Sequence, residues 1–574
     1  MREVTNQKIA ETLKEIGVFL DMQGIEFKPR AYERASEAIL ALEESAKDIY
    51  SRGGLKAVEN IPGIGASIGS KIEELLKTGR SKDHDILARK IPVNLQDLSA
   101  VEGLGPKSIK KLYEKLKIKN LKELETAARA GKIRKIGGFG EKAEENILKG
   151  IEFKKKSGGR FTLGRALPLS RTIEEGLKKL SRVERVVVAG SVRRRKETIG
   201  DIDILAIARN PKPVMDYFTS MPEVARVLAH GETKSSVHLE ANLDADIRVV
   251  EPGSYGAALN YFTGSKDHNV ALRQLAIKKG YKLNEYGLFK GEKQIAGKSE
   301  EDLYRALGLN YIEPEMRENT GEIELARKGA LPKLIGYDGL LGDLQVQTDW
   351  TDGAGSIEEM AKAAIKRGLK YVAITDHTKR LAMTGGLDEK KILKQMAEID
   401  RLNKKFAGKI KILKGSECDI LKDGSMDLSD EVLAKLDVVG ASVHSYFNLS
   451  EKEQTARVVR SMENKNVDII FHPTGRVIQK REPIALDMDR LIKKAKETGT
   501  IFEIDAYPDR LDLKDEHVRK CVEAGVKMSI DSDAHSPAHF EFLEYGIATA
   551  RRGWAKKSDI INAWPVEKCL EFLK

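Results

Sequence analysis

From residue 343 onward the sequence alternates between two hydrophobic periods, and this restricts the fold more than any other feature. Short apolar, β-branched runs (YVAITDH, DVVGASVH, VDIIFHP, TIFEIDAY, VKMSIDSDAH) are separated by stretches such as SIEEMAKAAIKRG, whose apolar residues recur at helical spacing. Strands alternating with helices over about 230 residues imply a parallel sheet, barrel-like or doubly wound. Such folds place their chemistry at strand ends. Those ends carry Asp352, Asp376-His377, Glu417, His444, His472, Asp533 and His535. Imidazoles and carboxylates from successive strand ends suit zinc, manganese or iron. One such histidine alone is more often structural, but five clusters in order are not. Six of the ten histidines lie in this part; His517 and His539 are read as ordinary surface residues.

The first 80 residues read as helices, and a short element then recurs. It appears as IPGIGASIGSKIEELL from Ile61, as VEGLGPKSIKKLYEKL from Val101, and more loosely as IGGFGEKAEENILKGI from Ile136. Gly63-Ile64-Gly65 and Gly103-Leu104-Gly105 resemble helix-hairpin-helix motifs. Their glycines let backbone N–H groups approach a DNA phosphate, and the next helix presents its positive end. Contacts of this kind hold DNA without reading its sequence. The charge agrees: residues 1–334 hold 60 Lys and Arg against 48 Asp and Glu, and the rest hold 39 against 40. A basic excess confined to one part suits a polyanion-binding module.

Between these parts, RVVVAGSV, DIDILAIA and DADIRVV read as strands. The sharpest signal in the chain is Gly190-Ser191, then Arg194, then Asp201-Ile202-Asp203. Carboxylates at i and i+2 of a strand share a face and can hold divalent cations together. Phosphoryl transfer uses that arrangement to activate the attacking oxygen and neutralise charge on the phosphate. Gly190 and Ser191 supply a tight turn and a hydroxyl, and Arg194 supplies positive charge. A third carboxylate should come from a neighbouring strand: Asp246, with Asp244 as a rival on the same face.

GSVRRRKETIGDID resembles the active-site signature of family X DNA polymerases, the group that includes DNA polymerase beta. The likeness continues through GETK (231–234), DIRVV (246–250), YFTGS (261–265) and NEYGL (284–288), in order across residues 1–318. It implies Asp201, Asp203 and Asp246 as ligands of Mg²⁺ or Mn²⁺, with Gly190, Ser191 and Arg194 around the triphosphate. Tyr261, Phe262 and Gly264 would pack on the sugar, and Asn269 and Arg273 would face the nascent base pair and template. Gly63, Gly65, Gly103 and Gly105 would contact DNA, and Ser99, Val101 and Leu104 would hold a monovalent cation through main-chain carbonyls. Lys71 falls where the family's 5′-deoxyribose phosphate lyase places its Schiff-base lysine, with Lys28 and Tyr32 as supporting residues. Phe27 and Ser67 stand where a histidine and a lysine are expected.

The C-terminal clusters resemble the PHP (polymerase and histidinol phosphatase) domain, a trinuclear phosphoesterase that uses Zn²⁺ or Mn²⁺. Here Gln345 and Gln347 occupy its His-x-His positions. An amide oxygen is a neutral, poor ligand for such ions. Two ions rather than three are therefore expected, one on Glu417, His444 and His472, the other on Asp352, His377 and His535. A third would keep only Glu417 and Asp533, so a weakened 3′→5′ exonuclease follows.

These readings predict a multidomain chain: a helical lyase-like domain over 1–85, a second helix-hairpin-helix domain over 86–155, an α/β nucleotidyltransferase palm over 156–255, a nucleotide-selecting subdomain over 256–318, a linker over 319–342, and a distorted TIM-like PHP barrel over 343–574. The expected function is gap filling in base excision repair on gapped or primed DNA with dNTPs. A DNA-end nuclease or phosphatase centred on the PHP domain, or a non-catalytic DNA-end scaffold, are the alternatives. The three cysteines lack CxxC spacing, and no apolar run reaches the roughly 18 residues of a membrane span. With acidic residues interrupting the N-terminal apolar stretch, a cytoplasmic monomer is expected.

Overall fold

The computed structural model describes residues 4–40, 42, 44–99, 101, 104–156, 159–181 and 183–573. The chain divides into two compact units: Met1–Gly159 with Val477–Glu482, and Arg160–Arg476 with Pro483–Lys574.

Helices dominate the first unit, and each glycine turn opens one. Gly63 has a φ of +87° and Gly65 caps the helix Ala66–Thr78. Gly105 caps Pro106–Leu116, whose proline at the first position loses only an N–H that would have had no partner there. In the third copy Gly138 has a φ of +88° ahead of Glu141–Lys156. The three copies insert equivalent apolar residues into one core: Ile61, Ile64 and Ile72; Val101, Leu104 and Leu112; Ile136, Phe139 and Ile147. That shared burial is why the motif recurs at the sequence level.

The second unit begins with a two-stranded ribbon, β1 (Phe161–Thr162) and β3 (Thr198–Ile199). Its five-stranded sheet holds β2 (Val183–Val188), β4 (Asp201–Ala208), β5 (Val224–His230), β6 (Lys234–Leu239) and β7 (Asp244–Val249), in the order β2-β4-β7-β6-β5. Only β4 and β7 pair in parallel, so both of their N-termini, where the aspartates lie, fall at one end of the sheet. The helices Tyr255–Thr263 and Lys266–Lys278 follow, then an antiparallel sheet of β8 (Lys282–Asn284), β9 (Gly287–Lys290) and β10 (Lys293–Ala296). The stretch 319–342, expected as a linker, contains the helix Glu322–Lys328 and buries Ala326 and Ile335.

The alternating part forms β11 (Gly342–Val346), β12 (Tyr371–Ile374), β13 (Lys411–Asp419), β14 (Val438–Ser442), β15 (Ile469–Ile470), β16 (Ile501–Asp505) and β17 (Met528–Asp531), all parallel and paired in chain order. A parallel bridge between Val346 and Ala534, with Gln347 N donating to Ala534 O at 2.8 Å, nearly closes the seven strands into a barrel. Side chains alternate as the pleat requires. Leu344, Tyr371, Ala373, Leu413, Val438 and Phe471 form one core, while Val372, Ile374 and Ile412 belong to the larger core with the surrounding helices; Val346 joins that larger core because the β11 register shifts after Asp343. Glycine makes room for the aromatics: a Cβ on Gly342 would lie 2.0 Å from the Tyr371 ring, and one on Gly440 1.9 Å from Phe471. Among the described residues no helix is long and apolar enough to cross a membrane.

Candidate active sites

Strand register assembles the first site. The β4–β7 pairing sets Asp203 opposite Asp246 and Asp201 opposite Asp244, so all four carboxylates project from one end of the sheet. Their neighbours separate them. Asp244 is engaged by His238 Nδ1 at 2.6 Å, and Asp246 meets Lys234 Nζ at 3.2 Å. Burial pushes Asp203 up to about 7, with the charges of Asp201 and Asp246 adding to it. Asp201 is likewise raised, by burial and then by Asp246. Carboxylates that repel one another in a half-buried site are a fitting donor set for a divalent cation. Their oxygens remain spread apart. Among the described residues, metal-ligating atoms converge within 4.8 Å only in the barrel.

Gly190, at φ +60°, explains why a glycine ends β2. A Cβ there would lie 2.3 Å from Asp203 Oδ2, so any side chain would displace the carboxylate. Ser191 follows in the short turn of helix Gly190–Arg193. Arg194 pairs with Glu318 (Nε to Oε1, 3.2 Å) and donates to the carbonyl of Thr263, beside Gly264. The Tyr261 and Phe262 rings meet edge to face at 5.0 Å, with Arg273 over Tyr261 and Arg248 over Phe262. Asn269 Nδ2 donates to Tyr261 O at 2.7 Å.

Sequence reasoning missed what stands behind these residues. Tyr304 donates to Asn260 at 3.0 Å, His268 bonds Tyr304 at 2.9 Å, and Glu322 holds His268 at 2.6 Å, all buried. Arg193 and Arg317 both grip the buried Glu300. Burial would raise that carboxyl, but the two guanidinium groups hold it down to about 2. No local spacing signals such contacts, because they join segments tens of residues apart.

In the barrel, Glu417 on β13 is the hub. Its Oε1 accepts from Ser442 at 2.7 Å and contacts His472 Nε2 at 2.8 Å and His444 Nε2 at 3.0 Å; its Oε2 meets His377 Nδ1 at 3.4 Å. Two groups of donors converge within 4.8 Å: Asp352, His377 and His535, and His377, Glu417 and His444. The second puts His377 where His472 was expected; His472 lies beside it on Glu417. Burial disfavours a charged His444, but Asp419 and Glu417 outweigh burial and hold its imidazolium up to about 9. The cluster thus attracts positive charge, and both groups fit a zinc- or manganese-like ion.

A third ion does not fit. Gln347 Nε2 donates to Glu417 Oε2 at 2.8 Å, and the amide of Gln345, fully buried, finds no hydrogen-bond partner. Arg510, unnoticed in the sequence, brings its guanidinium to 3.5 Å from Asp505 and 3.8 Å from Asp533. Burial, and then the Arg510 charge, hold the His472 imidazole down. A fixed cation therefore already serves Asp533. Asp376 is structural, its carboxylate accepting from Thr348, Thr351 and Gln395. His539, read as a surface residue, is buried: its ring stacks on Phe542 at 4.6 Å and its Nδ1 accepts from His535 N. Local polarity gave no hint of that ring packing.

In the first unit, Lys71 Nζ pairs with Asp83 at 2.6 Å. That hydrogen bond raises the ammonium pKa, whereas a Schiff-base amine needs it lowered. Tyr32 is buried beside the pair and Lys28 is exposed. In the second hairpin, Leu104 N donates to Val101 O at 3.2 Å, and Ser99 caps the helix Leu95–Leu98. Gly103 lies outside the described residues.

Four family models match successive stretches: a helix-hairpin-helix domain over residues 4–81, a SAM-like helix-hairpin-helix tandem over 95–152, the DNA polymerase beta thumb over 258–318, and the PHP domain over 343–507. The chain is 38% identical over 574 residues to the DNA polymerase/3′-5′ exonuclease PolX of Bacillus subtilis (strain 168), with 99% of each chain covered. A probable phosphatase of Thermoanaerobacter sp. (strain X514) is 29% identical over 229 residues, 38% of this chain and 88% of the relative. Another, of Caldanaerobacter subterraneus subsp. tengcongensis, is 31% identical over 190 residues, 31% of this chain and 70% of the relative.

Proposed function

The chain belongs to the family X DNA polymerases that carry a PHP domain, and from that premise we propose that it fills short gaps in DNA repair by nucleotidyl transfer at Asp201, Asp203 and Asp246. The observation that carries this reading is the set of mutually repelling carboxylates on β4 and β7, with Gly190 pressed against Asp203 and Arg194 alongside. When bound there, Mg²⁺ or Mn²⁺ supplies activation of the primer 3′-hydroxyl and neutralises charge developing on the α-phosphate. The protein's part is to place the groups. Ser191 and Arg194 orient the triphosphate, Tyr261, Phe262 and Gly264 pack on the sugar and exclude ribose, and Asn269 and Arg273 face the base pair. The glycine turns at Gly63, Gly65, Gly103 and Gly105 hold the DNA backbone together with Lys28 and Tyr32, and a monovalent cation sits on the carbonyls of Ser99, Val101 and Leu104.

In the barrel, Asp352, His377, Glu417, His444, His472 and His535 would hold two ions of zinc or manganese type for phosphoester hydrolysis. The likeness to probable phosphatases supports that chemistry. With Gln345, Gln347 and Arg510 in place of a third ion beside Asp533, the 3′→5′ exonuclease is proposed to be weak. A lyase role for Lys71 requires release from Asp83 first.

A 5′-labelled primer in a one-nucleotide gap tests both sites. Extension with dNTPs and Mg²⁺ that disappears in Asp203→Ala supports the polymerase assignment, and extension surviving that change overturns it. Strong shortening without dNTPs, lost in His444→Ala, would refute the weakened exonuclease.

A further inference from the structure

A residue that meets a triphosphate must be available to it, and Arg194 already has partners. Glu318 accepts from its Nε at 3.2 Å, and the carbonyl of Thr263 accepts from its Nη1. Glu318 is itself shared. Arg552, the last residue of the barrel helix Leu543–Arg552, donates Nη1 to Glu318 Oε1 at 3.1 Å and to the main-chain carbonyl of Arg194 at 2.9 Å. Arg552 is anchored from behind by Asp515, which opens the helix Asp515–Ala524 and accepts from Nε at 2.8 Å and Nη2 at 2.7 Å. Lys196 Nζ stands 3.8 Å from the same Glu318 oxygen. One carboxylate of the polymerase part is thus placed between the guanidinium of the nucleotide site and a guanidinium of the PHP barrel. Neighbouring pairs tie the same surfaces together: Arg195 to Glu544 at 2.9 Å and Arg551 to Glu315 at 2.7 Å.

We propose that Glu318 and Arg552 are positioning residues through which the C-terminal barrel sets the affinity of the polymerase site for the nucleoside triphosphate. The charge argument is direct. Glu318 and the incoming triphosphate are both anions and compete for Arg194. Arg552 draws on the same Glu318 oxygen, loosens its hold on Arg194, and fixes the Arg194 backbone through the carbonyl. Without Arg552, Glu318 is left to Arg194 and the more distant Lys196, and the triphosphate must displace a stronger pair. The inference rests on the assignment of Arg194 to the triphosphate made above.

The test is single-nucleotide gap filling by the full-length chain, with kcat and KM for dNTP measured alongside Kd for the gapped duplex. Arg552→Ala is expected to raise KM for dNTP about tenfold, with kcat and duplex Kd changed less than about twofold. Glu318→Gln, which removes the competing charge and keeps the shape, should lower KM. The double variant should lie nearer Glu318→Gln than the product of the two changes, since Arg552 acts mainly through Glu318 and only its bond to the Arg194 carbonyl is independent of it. Arg552→Lys keeps the charge without the fork and should fall between wild type and Arg552→Ala. Should Arg552→Ala melt early, the Lys and Gln variants carry the test. An unchanged KM in Arg552→Ala, or strictly multiplicative effects in the double variant, overturns the proposal. Arg194→Ala separates the two layers. If it raises KM while Arg552→Ala does not, the coupling alone fails; if it leaves KM unchanged, the assignment of Arg194 fails and the coupling with it.

Discussion

At Asp203, burial and like charge act in the same direction and hold the carboxyl up to about 7. The sign follows: the folded state keeps a proton that an ordinary carboxylate has lost, so the group favours folding less as pH rises through that value. A divalent cation must displace the proton. The Mg²⁺ concentration for half-maximal extension should therefore rise about fivefold between about pH 7 and pH 6 and change little above about pH 8. A flat Mg²⁺ midpoint across that range would contradict the shift. Lys71 obeys the opposite logic, its charge favoured by Asp83. Borohydride trapping on a 5′-deoxyribose phosphate end should be weak in wild type and stronger in Asp83→Asn; equal trapping would show that Asp83 does not control the amine. In the barrel, dialysed wild-type protein should retain about two zinc or manganese ions. Gln345→His with Gln347→His should add little until Arg510→Ala removes the fixed cation, as read by elemental analysis of metal per chain.

At the scale of elements, the turn from β2 into Gly190–Arg193 and the start of β4 form one device. Ala189 N donates to Asp203 O at 2.7 Å, and Gly190 fits only because it has no side chain. Gly190→Ala should cost about 100-fold in kcat for extension, the penalty of shifting a reacting group by about 1 Å, while melting and any barrel hydrolysis stay near wild type. Loss of both activities would instead mean a folding defect. The paired aspartates were legible here because a strand's two-residue repeat fixes their common face. Which of Asp246 and Asp244 joins them is not legible from spacing, because it depends on His238 and Lys234 from the adjacent strand.

Across the molecule, the barrel's stability depends on a core that alternation predicts only in outline. Phe471 is fully buried and covers Gly440. Phe471→Ala should destabilise the barrel by about 3–5 kcal/mol, seen as a lower midpoint for its unfolding transition. An unaltered midpoint would show that this core is not where the barrel draws its stability.

Spacing along the chain carries the order of parts and names the candidate donors: recurring glycine turns, an aspartate pair at strand spacing, and polar ends on successive apolar runs. These are local signals, set by backbone period and residue type. Which donors converge depends on the fold. His377 joins Glu417 and His444 while His472 lies on Glu417 beside them, Arg510 faces Asp533, and Arg552 reaches Glu318 from 234 residues away. Charge and metal-ligand contacts fall off over a few ångströms, and no spacing along a chain fixes distances between strands that only the closed barrel brings together.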